Sequence, residues 1–156
     1  MITTVDCNGT SGFSGDGGHA TAAELYSPAD IAVDASGNLF LADDVNNRIR
    51  RVDHATGVIT TVAGNGTNGF YGDGRGATAE EVVHPNGVAV DASGNLFIAD
   101  TNNVRVRDVD HATGVITTVA GNGTFPFTGD GGVASAAELD FPLGVAMDAS
   151  GNLFIA

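Results

Sequence analysis

The chain has few of the residues on which several classes of protein depend. It contains one cysteine, Cys7, no tryptophan and no lysine, so that its six basic residues are all arginines. A single cysteine excludes an internal disulfide framework and leaves the redox compartment open. Cys7 stands where the later repeats have Gly64 and Gly121, so we interpret it as a turn residue, with a free thiol for an intermolecular bridge as the alternative.

Positive charge is scarce as well. The six arginines face 19 acidic residues, which gives a formal net charge of −13. Such a surface repels phosphate backbones and anionic lipid, whereas nucleic-acid binding draws affinity from basic side chains that release counterions. No stretch approaches the roughly 20 apolar residues of a spanning helix. We therefore expect neither nucleic acid nor a membrane among the partners.

The first residues do not identify a cellular compartment. Met1 is followed at once by Ile-Thr-Thr-Val, without the basic and apolar regions of a secretory signal. Either the protein is cytoplasmic or its export signal lies outside this sequence. The localisation stays unknown at this stage.

A sequence repeat of 57 residues occurs almost three times in the chain. The phrase Ile-Thr-Thr-Val recurs in register at Ile2, Ile59 and Ile116, and Gly-Asp-Gly and Asp-Ala-Ser-Gly-Asn turns recur with it. A fixed period of this kind is typical of solenoids, propellers and arrays, in which each unit buries its apolar face on its neighbours. The units are residues 2–58, 59–115 and 116–156, the last of them truncated.

Each unit predicts four short antiparallel strands, a to d, joined by tight turns. Strand a is an apolar run that follows a proline, strand b is apolar throughout, strand c alternates polar and apolar residues, and strand d is rich in threonine. In the a–b turn, the aspartate can accept turn N–H groups and the glycine can take a positive φ. The predicted strands are 31–33, 88–90 and 145–147 (a), 39–42, 96–99 and 153–156 (b), 48–52 and 104–109 (c), and 2–5, 58–62 and 115–119 (d).

This grading from an apolar inner strand to a polar outer strand is typical of a propeller blade. The link from strand d to the next strand a is long and rich in glycine, and it has room for one or two helical turns at 77–82. Phe13, Phe70 and Phe127 recur in this link, and we expect them to pack between blades. The fold class is therefore all-β, a β-propeller.

The repeated phrases resemble a known family. Pro-x-Gly-Val-Ala-Val-Asp-x-x-Gly-Asn-Leu-Phe-Ile-Ala-Asp, followed by Asn, Arg-x-Arg and Gly-Val-Ile-Thr-Thr-Val-Ala-Gly-Asn-Gly, is similar to the NHL repeat over the whole chain. The Gly-Phe-x-Gly-Asp-Gly-Gly loop is similar to that of bacterial NHL propellers, often found on secreted or cell-surface proteins. The resemblance implies four-stranded blades in a ring of six.

The strand count falls short of such a ring. The chain holds about two and three-quarter blades, and it stops at Ala156, where Ala42 and Ala99 lead into strand c. An open array leaves apolar faces and strand edges in water, which favours association. We expect a homodimer that completes a six-bladed ring; a piece of a longer gene product or an engineered fragment is the suspected origin.

Three side chains are candidates for ligand contact. Asp30 replaces the glycine found at Gly87 and Gly144, which puts a carboxylate near the expected channel mouth. His19 and His84 lie in the links between blades but at different repeat positions, so they offer no symmetric ligand set. We predict no catalytic residue, no cofactor and no metal site.

The repeated acidic and histidine residues are assigned to structure. Asp43 and Asp100, which follow strand b, are expected to pair with Arg48 and Arg105 on strand c. The remaining residues of this group are expected to stabilise turns or to face solvent, and they are Asp16, Asp34, His54, Asp73, Asp91, His111, Asp130 and Asp148.

Three functions stay open. The first is a non-catalytic scaffold or binding module that docks a protein, a peptide or a glycan on its loops. The second is a metal-dependent lyase or hydrolase with its site at the channel mouth, which needs polar residues that converge on the axis. The third is a recently amplified or engineered propeller fragment whose property is assembly.

Overall fold

The computed structural model describes residues 3–156 of the chain. The start of the strand predicted at 2–5 therefore lies outside the described residues. Residues 3–5 are exposed and form no strand, so the prediction is wrong for this part. The physical reason is that a fourth strand needs a third strand to pair with, and nothing in the described chain offers one to residues 3–5.

Eleven strands lie within residues 3–156, connected mostly by tight turns. They are β1 (Pro28–Val33), β2 (Leu39–Asp43), β3 (Arg48–Val52), β4 (Ile59–Ala63), β5 (Arg75–Gly76), β6 (Pro85–Val90), β7 (Leu96–Asp100), β8 (Arg105–Val109), β9 (Val115–Ala120), β10 (Val145–Met147) and β11 (Leu153–Ile155). Three 3-10 turns occupy Ala20–Ala22, Thr101–Asn103 and Ala134–Ala136. Across the described part of the chain, no helix is long and apolar enough to cross a membrane.

The strands form three antiparallel sheets. Blade 1 is β1-β2-β3-β4, and blade 2 is β6-β7-β8-β9 with the two-residue β5 added to its outer edge. Blade 3 is the hairpin β10-β11. The innermost strands of consecutive blades contact each other, β1 with β6 and β6 with β10. The predicted all-β architecture with four-stranded blades is confirmed.

Element boundaries differ from the predicted ones by a few residues. Strand a begins at its proline, since Pro28 pairs with Asp43 ahead of a register shift. The second strand c begins at Arg105, because Val104 takes a φ of +53° at the end of a 3-10 turn. The helical stretch predicted at 77–82 is a turn closed by one hydrogen bond, from the N–H of Ala79 to Gly76, because the backbone groups of Ala77 bond to Gly64 and Gly114 instead.

The main core fills the seam between blades 1 and 2. Phe40 and Ile49 project from blade 1, and Val88, Leu96 and Ile98 project from blade 2, all of them buried in one cluster. Alternate residues of a strand point to opposite faces, so each blade offers one row of side chains to each neighbour. Each such side chain contributes about 1.5–3 kcal/mol when it is fully buried.

A second cluster covers the outer part of the opposite face of blade 1. Leu41, Val52 and Ile59 pack there against Leu25 of the preceding link, and Cys7 is half-buried beside them. Cys7 has a φ of +52°, in the left-handed region where the later repeats use glycine. A turn role for Cys7 therefore agrees with its backbone.

Both ends of the array leave blade faces open. On β1, Ile31 is 51% exposed and Val33 is 58% exposed, whereas Val88, the repeat equivalent of Ile31, is 3% exposed. On β11, Phe154 is 57% exposed, whereas its equivalent Phe40 is 6% exposed. The same positions are thus covered inside the array and uncovered at its ends.

A buried arginine on strand c ties each of the first two links to the blade that follows it. The guanidinium of Arg50 donates to Asp16 at 2.9 Å and to Asp43 at 3.3 Å, and the Arg50 side chain is fully buried. In blade 2, Arg107 makes the same contacts, at 2.9 Å to Asp73 and 3.4 Å to Asp100. We call each of these arrangements an arginine clamp.

The clamp corrects the predicted pairing of Asp43 with Arg48. Arg48 lies directly opposite Asp43 in the sheet, but its guanidinium donates to the carbonyl oxygens of Asn46 and Asn65, each at 2.8 Å. Arg50 lies two residues further along β3 on the same face, and it reaches Asp43 diagonally. In blade 2, Arg105 likewise donates to backbone carbonyl oxygens, and Arg107 binds Asp100.

The repeated phenylalanines of the links also differ from the prediction. The guanidinium carbon of Arg48 lies 3.7 Å from the centroid of the Phe13 ring, and the guanidinium carbon of Arg50 lies 4.8 Å from the same centroid. The ring is 42% exposed, so it is not buried between blades. Cation–π attraction to the arginines of strand c holds it in place.

Replacing the clamp arginine is expected to destabilise the protein strongly. Arg107→Met leaves the carboxylate of Asp100 buried without its cation, and the expected loss in free energy of unfolding is about 3–5 kcal/mol. Arg51→Met is the matched control, because the Arg51–Asp53 pair is about one-third exposed and is worth less than about 1 kcal/mol. Urea unfolding of both variants measures the difference, and equal losses would refute the role of the clamp.

Candidate functional site

The structure places Asp30 at the contact between two blades. It lies on β1, the inner strand of blade 1, and one carboxylate oxygen accepts the N–H of Ile31 at 2.8 Å. The other accepts the N–H of Val88 on β6 at 3.0 Å. The carboxylate of Asp30 therefore joins the inner strands of blades 1 and 2.

His84 joins the same two blades nearer the link. It directly precedes β6 with a φ of +49°, and its backbone N–H donates to the side-chain oxygen of Asn47 at 2.9 Å. Its Nδ1 lies 2.8 Å from Oδ1 of Asp44, and the imidazole is 37% exposed. His19 lies apart from this contact, exposed in the first link beside Val58.

The three predicted contact residues therefore have separate neighbours. Asp30 binds backbone of blade 2, His84 binds Asp44, and His19 lies at the outer edge of blade 1. Within residues 3–156, no group of three or more His, Cys, Asp or Glu side chains is arranged to hold a metal ion. Ligand contact by these three residues stays a prediction.

A larger feature is the cleft between blades 1 and 2 on the side of the hairpin turns. Its volume is about 770 Å³, within the range of small-molecule and peptide sites. Apolar side chains of the seam form its floor, among them Phe40, Leu96 and Val109. Its polar lining includes Asp34, Asn38, Arg51, Thr61, Asp91, Asp110 and His111.

The turns beside the cleft are held together by hydrogen bonds to their aspartates. Asp34 accepts the backbone N–H groups of Ser36 and Asn38 at 2.9 Å and the side-chain amide of Asn38 at 2.7 Å. Asp91 and Asp148 make the same bonds in their own turns. The predicted turn role of these aspartates is confirmed.

The same bonds set the charge of the turns. Slight burial raises the pKa of Asp34, but the hydrogen bonds from Asn38 and Ser36 and the charge of Arg51 outweigh it and lower the pKa overall. Hydrogen bonds from Thr113 lower the pKa of Asp110 in the same way. Both side chains are therefore carboxylates at neutral pH, and the cleft has an acidic rim.

One position breaks the symmetry of the blades. Arg51 in blade 1 contacts Asp53 at 3.0 Å, whereas the equivalent residue in blade 2 is Asp108. Burial raises the pKa of Asp108, and the neighbouring charges of Asp110 and Asp91 raise it further. The Oδ1 atom of Asp108 is buried and has no hydrogen-bond partner among the described residues.

Four-stranded antiparallel blades that pack face to face around adjoining inner strands define a β-propeller. The family model described as the teneurin NHL domain matches the chain twice, over residues 5–71 and 66–128. The protein therefore belongs to the NHL-repeat family of β-propellers. Membership supports a binding or scaffold module, while the predicted bacterial loop type stays a prediction.

Relatives share the repeats but are far longer. The chain is 35% identical over 86 residues to the chloroplastic protein SUPPRESSOR OF QUENCHING 1 of Arabidopsis thaliana. This match covers 55% of this chain and 8% of that protein. The chain is 34% identical over 93 residues to NHL repeat-containing protein 2 of Bos taurus. This match covers 58% of this chain and 13% of that protein. The chain thus spans a small part of each relative.

A solved structure shows the same fold. The chain superposes on a protein of unknown function from Bacteroides thetaiotaomicron with a TM-score of 0.66 at 24% identity, over 77% of this chain and 30% of that one. At this level of identity the likeness concerns the fold alone. The superposed part is less than a third of the other chain, so this chain corresponds to part of that longer chain.

Sequence reasoning missed three features, which are the charge reversal at Asp108, the cleft and the partners of the clamp arginines. The charge reversal between Arg51 and Asp108 was visible as a break in the repeat, in the same way as Asp30. The cleft itself had no sequence signal, because its lining combines turns and strands of two blades. The clamp arginines were visible only as part of an alternating strand.

Asp108→Asn is expected to stabilise the protein at neutral pH. Because the folded state raises the pKa of Asp108 above 3.8, folding binds its proton more tightly, and stability falls as the pH rises through the raised pKa. The expected gain at pH 7 is roughly 1–2 °C in thermal midpoint, reduced by the solvent that reaches this side chain. The gain should disappear below about pH 3.8, where the carboxyl is neutral in both states.

Asp148→Asn is the control, because hydrogen bonds from Asn152 lower the pKa of Asp148 and the fold favours its charged form. It should give no gain at pH 7. Thermal unfolding followed by circular dichroism between pH 3 and pH 8 checks both variants. A gain for Asp108→Asn that is constant across this range would contradict the electrostatic account.

Proposed function

We propose that the protein is a non-catalytic NHL scaffold that associates with a second copy of itself and presents its cleft and links to a protein, peptide or glycan. The observation that carries the proposal is that its two open faces occupy the repeat positions of two faces that pack on each other inside the array. Phe154 at one end occupies the repeat position of Phe40, and Ile31 at the other end occupies that of Val88. Phe40 and Val88 pack in one core inside the array.

The seam between blades 1 and 2 therefore serves as the template for contact between copies. In that seam one blade contributes Phe40 and Ala32, and the next contributes Val88 and Val90. The open face of blade 3 carries Phe154, and the open face of blade 1 carries Ile31 and Val33, which are more than half exposed. Such faces in water favour association. Two copies joined head to tail would approach the six blades of a ring, and we propose a homodimer.

The ligand-presenting part of the proposal rests on the interblade cleft. Its apolar floor and acidic, hydrogen-bonding rim suit a peptide or glycan that offers several donors. Hydrogen bonds to Asp34 and Asp91 hold the turns around it in one conformation. Binding would then require little ordering of the protein.

A metal-dependent lyase or hydrolase is not proposed. It requires ligands that converge, and Asp30, His19 and His84 lie with separate partners. An amplified or engineered fragment whose property is assembly differs from our proposal in origin only. The same measurement of association addresses both.

Phe154→Glu is expected to abolish association, because it places a charge on the open face of blade 3. Light scattering of the wild type should give about twice the chain mass of 15.6 kDa, and the variant should give a single chain. Val33→Glu, on the opposite end, should have the same effect. Tyr71→Glu is the control, since Tyr71 is 74% exposed in a link and away from both open faces.

A wild type that has the mass of one chain at high concentration would refute the homodimer. So would a Phe154→Glu variant that keeps the mass of two. Thermal unfolding of the single chains shows whether they remain folded. A folded, single-chain variant that still binds a peptide or glycan would separate ligand binding from association.

A further inference from the structure

The cleft between blades 1 and 2 has an apolar floor and a charged rim, and it is bordered by two complete blades and the link that joins them. Phe40 and Leu96 form part of the floor and are 6% and 4% exposed. The rim carries the carboxylates of Asp34, Asp91 and Asp110. Such a cleft fits a ligand that combines an apolar stem with a charge of opposite sign.

Each rim aspartate spends one carboxylate oxygen on its own turn. In Asp34, Oδ1 accepts two backbone N–H groups at 2.9 Å, and Oδ2 accepts the side-chain amide of Asn38 at 2.7 Å. Asp91 has the same arrangement. In Asp110, Oδ1 accepts both bonds from Thr113, at 2.8 and 2.6 Å. A carboxylate oxygen accepts about two hydrogen bonds, so each rim aspartate keeps acceptor capacity on Oδ2.

Two side chains of the lining that could donate to the rim are engaged elsewhere. The hydroxyl of Thr61 donates to Asp16 at 2.7 Å. The guanidinium of Arg51 donates to Asp53 at 3.0 Å, so its positive charge is balanced by a carboxylate outside the rim. The rim therefore keeps an excess of acceptors and of negative charge.

We propose that this cleft receives a lysine side chain of a protein or peptide partner, an inference that rests on the ligand-presenting part of the proposed function. The four-carbon stem of the lysine lies on the apolar floor. Its ammonium group donates to the Oδ2 atoms of the rim aspartates. The net charge of −13 attracts a cationic partner and speeds the encounter.

The hydrogen bonds of the rim favour lysine over arginine. A guanidinium binds a carboxylate best through two parallel hydrogen bonds, one to each oxygen. The turns already occupy Oδ1 of each rim aspartate, so this geometry is blocked. An ammonium is a compact donor of three hydrogen bonds, and Oδ2 atoms from separate turns can share it.

A second copy of this protein is not the source of the ligand. The chain contains no lysine, so no side chain of another copy provides the stem and the ammonium together. The proposed site therefore serves a foreign partner. Its test is independent of whether copies of the chain associate.

The probe is a blocked lysine, Nα-acetyl-lysine N-methylamide, titrated at pH 7 and followed by amide NMR. The signals of Ser36 and Ser93, which lie in the turns of Asp34 and Asp91, should shift with a Kd on the order of 1 mM, as expected for so small a ligand. The norleucine derivative has the same stem without the ammonium and should bind at least about tenfold more weakly. The arginine derivative should bind about threefold more weakly, because its fork is not accommodated.

Asp91→Asn and Asp148→Asn form a matched pair of variants. Both aspartates hold the same turn with the same three hydrogen bonds, but Asp91 lines the cleft whereas Asp148 lies in blade 3. Asp91→Asn should weaken lysine binding about fivefold, because it removes a charge and an acceptor. Asp148→Asn should leave the affinity within about twofold. Unchanged NMR signals outside the substituted turn show that each variant keeps its fold.

Equal affinity for the lysine and norleucine derivatives overturns the inference but leaves a cleft that binds ligands, so the proposed function stands in that case. Unmoved signals of Ser36 and Ser93 at about 10 mM lysine derivative overturn the lysine site. Equal weakening by Asp91→Asn and Asp148→Asn also overturns it, because only the total charge would then matter. Light scattering of the same samples reports association separately, so failure of the homodimer is distinguished from failure of the lysine site.

Discussion

Face-to-face packing between consecutive blades is the constraint on which the rest of the structure depends. A four-stranded sheet has two faces, and in this protein both are apolar in their inner parts. Ile49 and Ile98 reach complete burial only because blades 1 and 2 lie against each other. A single blade could not bury them, so the repeat is a unit of sequence but not of stability.

The links between blades convert this packing into a fixed geometry. The first two links each carry an aspartate and a phenylalanine to the arginines of the following strand c, so the path of the link and the position of the blade are set together. Removing a guanidinium from water is costly, and the clamp offsets the cost with two carboxylates. In the third link, Gly129 and Gly131 have the positive φ of Gly15 and Gly17 in the first link.

Much of this could be predicted from sequence, for identifiable reasons. Strands and hairpin turns follow from local patterns, and the bonds of Asp34 depend only on residues within four positions of it. The partner of Asp43 could not be predicted, because Arg48 and Arg50 lie on one face and the choice depends on which carbonyl groups the folded link offers to Arg48. The contact of Asp30 with blade 2 could not be predicted either, since the sequence does not show that the N–H of Val88 lies within its reach.

Amide hydrogen exchange resolved by segment tests the dependence on blade packing most directly. Measured at a concentration where light scattering shows single chains, exchange should be slowest in β7 and β8, which have a neighbouring blade or link on each face. It should be much faster in β10 and β11, where one face is open, although their hairpin turn has the same hydrogen bonds. Equal protection of these two pairs of strands would contradict the account, because it would mean that each sheet is stable without its neighbours.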